Sequence, residues 1–366
     1  MSERKIKSLY IHIPFCEHIC DYCDFTKVQY FSLFAHKYIE ELQKELEFND
    51  IPKDLETIYI GGGTPTALED DLFLQLMKML KEYTSSVKEF TVEANPESLS
   101  IKKLEIMKQY GVNRISLGVE TTDDEILKNI NRHHTFQDAK TAIMNAQKMG
   151  FDNLNVDLIL GLPGASIEQI KMDLNNLITL NVQHISCYSL TVHPNTVFYL
   201  QGVKEPLEDI SREYYDFINC FLEKQGFVHY EISNWAKPGY ESKHNYTYWK
   251  NEQYYGLGLG ASGYVDEKRY TNTRSINKYL NGTYRDYQET VTKEDDIEYQ
   301  IMLNLRTIEG LNLIEFKNKF GFDLYQRKQK EIDKLVEDGF LKIDKKKIVP
   351  TYEGMMILDQ IILKLI

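Results

Sequence analysis

Short apolar runs alternate with longer amphipathic stretches through the first half of the chain. The runs at residues 9–13, 57–60, 90–94, 114–119, 155–160 and 184–190 are rich in Ile, Val and Tyr and are followed by Gly, Pro or Asn, the pattern of buried strands. Between them, residues 34–46, 70–83, 101–110, 136–149 and 167–180 carry apolar side chains at helical spacing. Six repeats of strand then helix predict an α/β fold with a parallel sheet. A doubly wound open sheet satisfies that alternation too. The unusual residues, however, cluster just after nearly every strand, and loops at strand ends converge on one site only if the sheet curves. The expected architecture is a partial (β/α)6, TIM-like barrel.

The pattern changes after about residue 200. Residues 210–225 read as a helix, and 230–264 as a loop-like stretch dense in aromatics, Gly, Ser and Asn. In that stretch the backbone at Gly256, Gly258 and Gly260 either approaches something closely or turns. From 292 the chain reads as three helices, a hairpin FLKIDKKKIVPT and a last amphipathic helix, an order similar to a winged helix. The expected division is therefore a barrel at 1–200, an extension carrying HNYTYW at 201–291, and a small, mainly helical, winged-helix-like domain at 292–366. That last segment holds 13 Lys and Arg against 14 Asp and Glu, which favours packing or protein binding over DNA binding.

Charge and composition narrow the function classes. A net charge of −12 argues against a general nucleic-acid binder, and no apolar run approaches a membrane span. The start, MSERKIKSLY, lacks an apolar secretory core. Together these features predict a cytoplasmic protein, with peripheral membrane contact left open and a homodimer as the default assembly.

Three of the five cysteines, Cys16, Cys20 and Cys23, stand in HIPFCEHICDYCDF. The spacing brings three thiolates to one point and no fourth, which suits a [4Fe-4S] cluster with one iron open to a ligand. A closed zinc site needs a fourth donor, and His12 and His18 are not at a usual zinc spacing. Cys187 and Cys220 stand alone in apolar segments and read as small hydrophobes. After the second strand comes GGGTPT, residues 61–66, whose glycines let backbone groups reach a small polar ligand. Glu93 in TVEANP, Glu120 in SLGVET and Asp157 in NVDLILGLP lie in or beside strands, and Arg132 sits in NINRHH. Carboxylates in such places need partners. Ligand hydroxyls, an ammonium group or Arg132 would serve, and so would an ion-pair network with no ligand.

In order and spacing, YIHIPFCEHICDYCDF, GGGTPT, EANP, RISLGVE, NVDLILGLP and HNYTYW resemble the radical S-adenosylmethionine (SAM) proteins of the oxygen-independent coproporphyrinogen oxidase family, and most closely its HemW heme-chaperone branch. The resemblance covers nearly the whole chain. It implies that Cys16, Cys20 and Cys23 hold the cluster and that the amino and carboxylate groups of SAM chelate its open iron. One-electron cleavage of SAM then gives a 5′-deoxyadenosyl radical. Tyr10, Tyr22, Gly62, Gly63, Thr64, Glu93, Glu120, Arg132 and Asp157 are the implied cofactor contacts. Glu120 departs from the Gln common in the family; an ionised carboxylate accepts hydrogen bonds but donates none.

Two further departures point away from decarboxylation. The oxidases carry another cysteine two residues after the third ligand, where this chain has Phe25, and they carry a longer amino-terminal extension than the fifteen residues before Cys16. HNYTYW matches the heme-associated HNxxYW pattern of the chaperone branch. It implies His244 as an axial heme ligand flanked by Tyr248 and Trp249, against the alternative of a packed histidine. The expected function is a heme chaperone passing heme to an acceptor hemoprotein, such as one of a respiratory chain. A coproporphyrinogen oxidase is the alternative, and a cluster-based redox sensor a distant third.

Overall fold

The computed structural model describes residues 5–366. Six parallel strands, β1 (Ser8–Ile13), β2 (Thr57–Gly62), β3 (Glu89–Ala94), β4 (Arg114–Glu120), β5 (Leu154–Leu160) and β6 (His184–Ser189), stand side by side in chain order. Unbroken order means that the sheet never reverses its winding direction, so a doubly wound arrangement is ruled out. The connecting helices are α1 (Ser32–Phe48), α2 (Asp70–Leu80), α3 (Ile101–Gln109), α4 (Asp124–Asn129), α5 (Phe136–Lys148) and α6 (Ile167–Thr179).

Strand alternation sorts the sheet's two faces by polarity. Leu9, Ile11, Ile13, Ile58, Ile60, Phe90, Val92, Ile115, Leu117, Val156 and Ile185 are fully buried in one apolar cluster with the helices. The intervening positions, Ser8, Tyr10, His12, Thr57, Tyr59, Glu89, Glu93, Arg114, Ser116, Asn155, Asp157, His184 and Ser186, point the other way. The hollow of the partial barrel is therefore polar throughout.

The stretch 230–264 differs from its loop-like reading. Helices α7 (Val197–Gln201) and α8 (Glu208–Lys224) precede two short strands, β7 (Val228–Glu231) and β8 (Asn234–Ala236), which extend the sheet beyond β6 in antiparallel fashion. Helix α9 (Lys243–Trp249) follows, and then β9 (Tyr255–Leu257), which lies parallel beside β1 and completes a nine-stranded sheet. Three-residue strands between glycines leave almost no periodicity to read. Both alternatives for the glycines hold. A Cβ at Gly256 would lie 1.7 Å from the Ser262 carbonyl oxygen, while Gly258 turns at a φ of +97°. Buried Glu45 of α1 clasps this segment, accepting the Gly258 N–H at 2.8 Å, the Asn272 amide at 2.6 Å and the Tyr279 hydroxyl at 2.6 Å.

Strands β10 (Ser262–Val265), β11 (Lys268–Asn272) and β12 (Arg285–Thr290), with α10 (Ile276–Leu280) between the last two, form a separate antiparallel sheet. The chain then enters α11 (Lys293–Asn304), α12 (Leu313–Phe320), α13 (Leu324–Arg327) and α14 (Gln329–Glu337). A hairpin and the final helices α15 (Tyr352–Met356) and α16 (Leu358–Leu365) pack with them around a second core that includes Ile301, Phe316, Ile332, Leu335, Ile348 and Ile361. Arg306 ties this carboxyl-terminal unit to the barrel by pairing with buried Glu231 at 3.2 Å. Among the described residues no helix is long and apolar enough to cross a membrane.

Candidate functional site

The cysteine loop leaves the carboxyl end of β1 and is pinned at both ends. Phe15 and Cys16 pair with Val28 and Gln29, and the Val28 N–H donates to the Pro14 carbonyl at 2.7 Å. From the neighbouring glycine turn, the Gly63 and Thr64 N–H groups donate to the Ile13 and Phe15 carbonyls, each at 2.8 Å. From the loop after β4, the Asn131 amide donates to the Ile19 carbonyl at 2.8 Å. Two of the sulfurs have polar company, the Thr64 hydroxyl 3.7 Å from Cys16 Sγ and Arg132 Nη1 3.5 Å from Cys20 Sγ, and the Lys27 ammonium reaches the Cys23 carbonyl. Burial pushes the thiols of Cys16 and Cys23 up to about 12 and about 11. The thiolate forms that bind metal therefore need the metal itself to displace the protons. Among the described residues no three His, Cys, Asp or Glu side chains gather around a single metal ion. A four-iron cube makes a different demand, since each thiolate binds its own iron.

Beside the cysteines lies a glycine cradle over an acidic hollow. A Cβ at Gly63 would meet the Pro14 and Phe15 backbone at 2.8 Å, and one at Gly62 would enter the His12 ring. Glu93 accepts from the Gly62 N–H at 2.9 Å and the Tyr59 hydroxyl at 2.7 Å, and burial raises its pKa to about 7. Asp157 accepts from Ser116 at 3.2 Å and from the Asn155 amide at 2.8 Å, and burial raises it as well. Burial also raises Glu120, against the pull of Arg132, whose guanidinium stands 3.4 Å away. Tyr22 lies beside Glu120 and Cys20, and burial raises its phenol well above the usual range. Three carboxyls whose charged forms are undercompensated make a hollow that a cationic ligand would stabilise. Arg132 keeps one donor in reserve, because its buried Nε has no hydrogen-bond partner.

Two positioning residues escape a reading by residue type. The Asn95 side chain accepts from both Arg132 terminal nitrogens at 3.2 Å and donates to Thr64 at 3.2 Å, joining the arginine to the glycine turn. Glu120 itself sits at a φ of +68°, a conformation that costs a non-glycine residue energy. Buried Asp173 of α6 holds the backbone just beyond it, accepting from the Thr121 hydroxyl and from both the N–H and the hydroxyl of Thr122 at 2.7–3.1 Å. The motif EANP contains Asn95, so a signal existed; for Asp173 the sequence offers none.

His244, expected as an axial heme ligand or as a packed histidine, is packed. It lies on α9, fully buried, where the polar hollow meets the starts of the strands. Thr57 donates to Ser8 at 2.9 Å, so its oxygen takes a proton from His244 Nδ1 at 2.8 Å. That tautomer leaves Nε2 to accept the Tyr248 hydroxyl at 2.8 Å. Glu89, the first residue of β3, accepts the Lys243 and His244 backbone N–H groups at 2.9 Å and so caps the helix. Thr247 meets Ser8 at 2.8 Å. Trp249 stacks under Arg306 of the carboxyl-terminal unit. HNYTYW thus plugs the base of the barrel, with both ring nitrogens of His244 engaged in hydrogen bonds. Burial lowers its pKa to about 3, which keeps it neutral.

Comparison with known proteins shows the family. Residues 10–177 match the radical SAM superfamily and residues 291–357 the HemN C-terminal domain. The heme chaperone HemW of Bacillus subtilis is 40% identical over 97% of this chain and 98% of its own. That of Escherichia coli is 34% identical over 91% of each. Among solved structures, the coproporphyrinogen III oxidase HemN of Escherichia coli superposes with a TM-score of 0.85 over 99% of this chain and 90% of its own; at 22% identity, this likeness speaks for the fold alone. The polar partial barrel, the cysteine loop at its mouth and the carboxyl-terminal unit are those of a radical SAM protein, and the chain belongs to the HemW family.

Proposed function

We propose that this chain is a heme chaperone that binds heme and passes it to an acceptor hemoprotein, such as one of a respiratory chain, in the cytoplasm. The observation that carries the reading is similarity running end to end, through cysteine loop, barrel plug and carboxyl-terminal unit alike, to proteins named heme chaperones.

The residues present fit a [4Fe-4S] cluster and SAM. Cys16, Cys20 and Cys23 would hold the cluster, with Arg132 and Lys27 offsetting its negative charge. The Gly62 and Gly63 backbone with Thr64 would take the methionyl end of SAM, Glu93 its ammonium, and Glu120 and Asp157 the ribose hydroxyls, with Tyr10 and Tyr22 at the margins. A cation-bearing ligand suits a hollow in which burial raises all three carboxyls. When bound, the pair supplies one-electron reductive cleavage chemistry. The protein's part is to orient the ligand and to hold Glu120 in place through Asp173.

The test is a heme titration of the anaerobically reconstituted protein, followed through the Soret band with serum albumin as the non-specific control. Saturation at a single equivalent per chain is expected. Absence of saturable binding overturns the reading and moves the weight to a turnover assay with coproporphyrinogen.

A further inference from the structure

A cleft of about 390 Å³ opens beside β1, between the cysteine loop and the segment that follows β9. Its volume falls within the roughly 300–1000 Å³ of small-molecule sites. Tyr10, Tyr248 and Tyr254 wall it, with His12 at its back and Phe25, 66% exposed, at its rim. Tyr248 and Tyr254 meet edge to face at 4.6 Å. Aromatic walls of this kind suit a flat conjugated ligand.

The polar groups of the cleft divide into satisfied and unsatisfied. The Tyr10 hydroxyl bonds His12 Nδ1 at 2.9 Å, His12 Nε2 bonds the Thr26 carbonyl at 2.7 Å, and the Tyr248 hydroxyl is committed to His244. Ser262 pairs with Thr271 at 3.2 Å, and Asp24 faces His193 at 3.4 Å. Two donors remain. Among the described residues neither the Arg274 guanidinium nor the Tyr254 hydroxyl has a hydrogen bond or an ion-pair partner. A guanidinium donates and never accepts, so a ligand that engages this site brings an acceptor, best an anionic one.

We propose that this cleft seats the propionate-bearing edge of the tetrapyrrole, with a propionate carboxylate on Arg274 and Tyr254 and the ring edge against Tyr248. The proposal rests on the heme-chaperone reading and gives it a place. It also supplies a ligand surface that the buried His244 does not offer. Phe25 at the rim covers the outer face of the ring, and Tyr10 joins the cleft to the cofactor hollow. A carboxylate of a second SAM shares the same chemistry, and the experiment separates the two sources.

Hemin and hemin dimethyl ester are titrated into reconstituted wild type, Arg274→Gln and Arg274→Lys. Arg274 is exposed and unpartnered, so both variants are expected to fold; Tyr254→Phe, which removes one hydroxyl, provides a second probe of the same site. The expected result is a loss of about tenfold in hemin affinity for Arg274→Gln, the size of one charge-assisted hydrogen bond, with partial recovery in Arg274→Lys. The dimethyl ester binds wild type more weakly and does not distinguish it from Arg274→Gln, while SAM affinity stays unchanged. Unaltered hemin affinity in both Arg274→Gln and Tyr254→Phe overturns the placement while the chaperone reading stands. Loss of SAM affinity in place of hemin affinity overturns it in favour of the second SAM. A wild type without saturable hemin binding overturns both.

Discussion

Replacing His244 with alanine separates a barrel plug from a heme ligand. The imidazole is fully buried and bridges Thr57 and Tyr248. Its removal deletes two hydrogen bonds worth about 1 kcal/mol each and opens a cavity in a polar layer that cannot collapse freely. Thr57 keeps Ser8 as a partner, whereas Tyr248 loses the acceptor of its hydroxyl. Together these terms cost about 3–5 kcal/mol, a large share of the roughly 5–15 kcal/mol that stabilises an ordinary domain. The assay is urea unfolding of the cluster-free protein followed by far-ultraviolet circular dichroism, paired with a hemin titration under native conditions. The expected outcome is a strongly lowered midpoint, with hemin affinity in the folded fraction within about threefold of wild type. A variant as stable as wild type to within about 1 kcal/mol that has nevertheless lost hemin binding would refute the plug assignment and restore His244 as the ligand.

Other outcomes follow from the same geometry. Burial lowers His12 and His229 to about 4 and His244 to about 3, so below the ordinary imidazole range the unfolded chain takes up protons that the folded one refuses. The imidazoles' share of the stability is therefore full above about pH 6.5 and falls as the pH drops from there toward 4, by up to about 1.4 kcal/mol per unit for each histidine, while the raised carboxyl of Glu93 works in the opposite sense; a His229→Gln variant whose stability difference from wild type is the same at about pH 7.5 and 5.5 would contradict this. Cys16→Ala, Cys20→Ala and Cys23→Ala each abolish the broad cluster absorption after anaerobic reconstitution, and a normal iron and sulfide content in any one of them removes that residue from the ligand set. Asp157→Ala weakens SAM binding by about tenfold in calorimetry, since it takes a carboxylate from the hollow, and wild-type affinity would end that assignment.

The sheet was legible because its strands are long enough for alternation to show. Residues 9–13 and 90–94 read as strands from their own side chains, and β1 and β3 match them to within a residue. The helical spacing at 167–180 likewise reappears as α6, one residue shorter. The site's outline was legible because its residues fall just after strands, a position fixed by topology. What stayed hidden depends on partners distant in sequence. His244 is held by Thr57 and Glu89, 187 and 155 residues away, and no local pattern tells a capped, bridged imidazole from an available one. Asp173 looks like an ordinary polar residue of an amphipathic helix until Thr121 and Thr122 are seen against it.

The pairing of β9 with β1 has a consequence in time. Tyr255, Gly256 and Leu257, which cover the edge formed by Leu9, Tyr10 and Ile11, are synthesised about 245 residues after them. At ribosomal speeds of about 5–20 residues per second, the edge stays bare for roughly ten to fifty seconds. An unpaired row of backbone groups flanked by apolar side chains is a template for association with other chains. The edge of β1 is thus the last of the sheet to be paired, and shielding it is a demand that falls on the interval between the two segments.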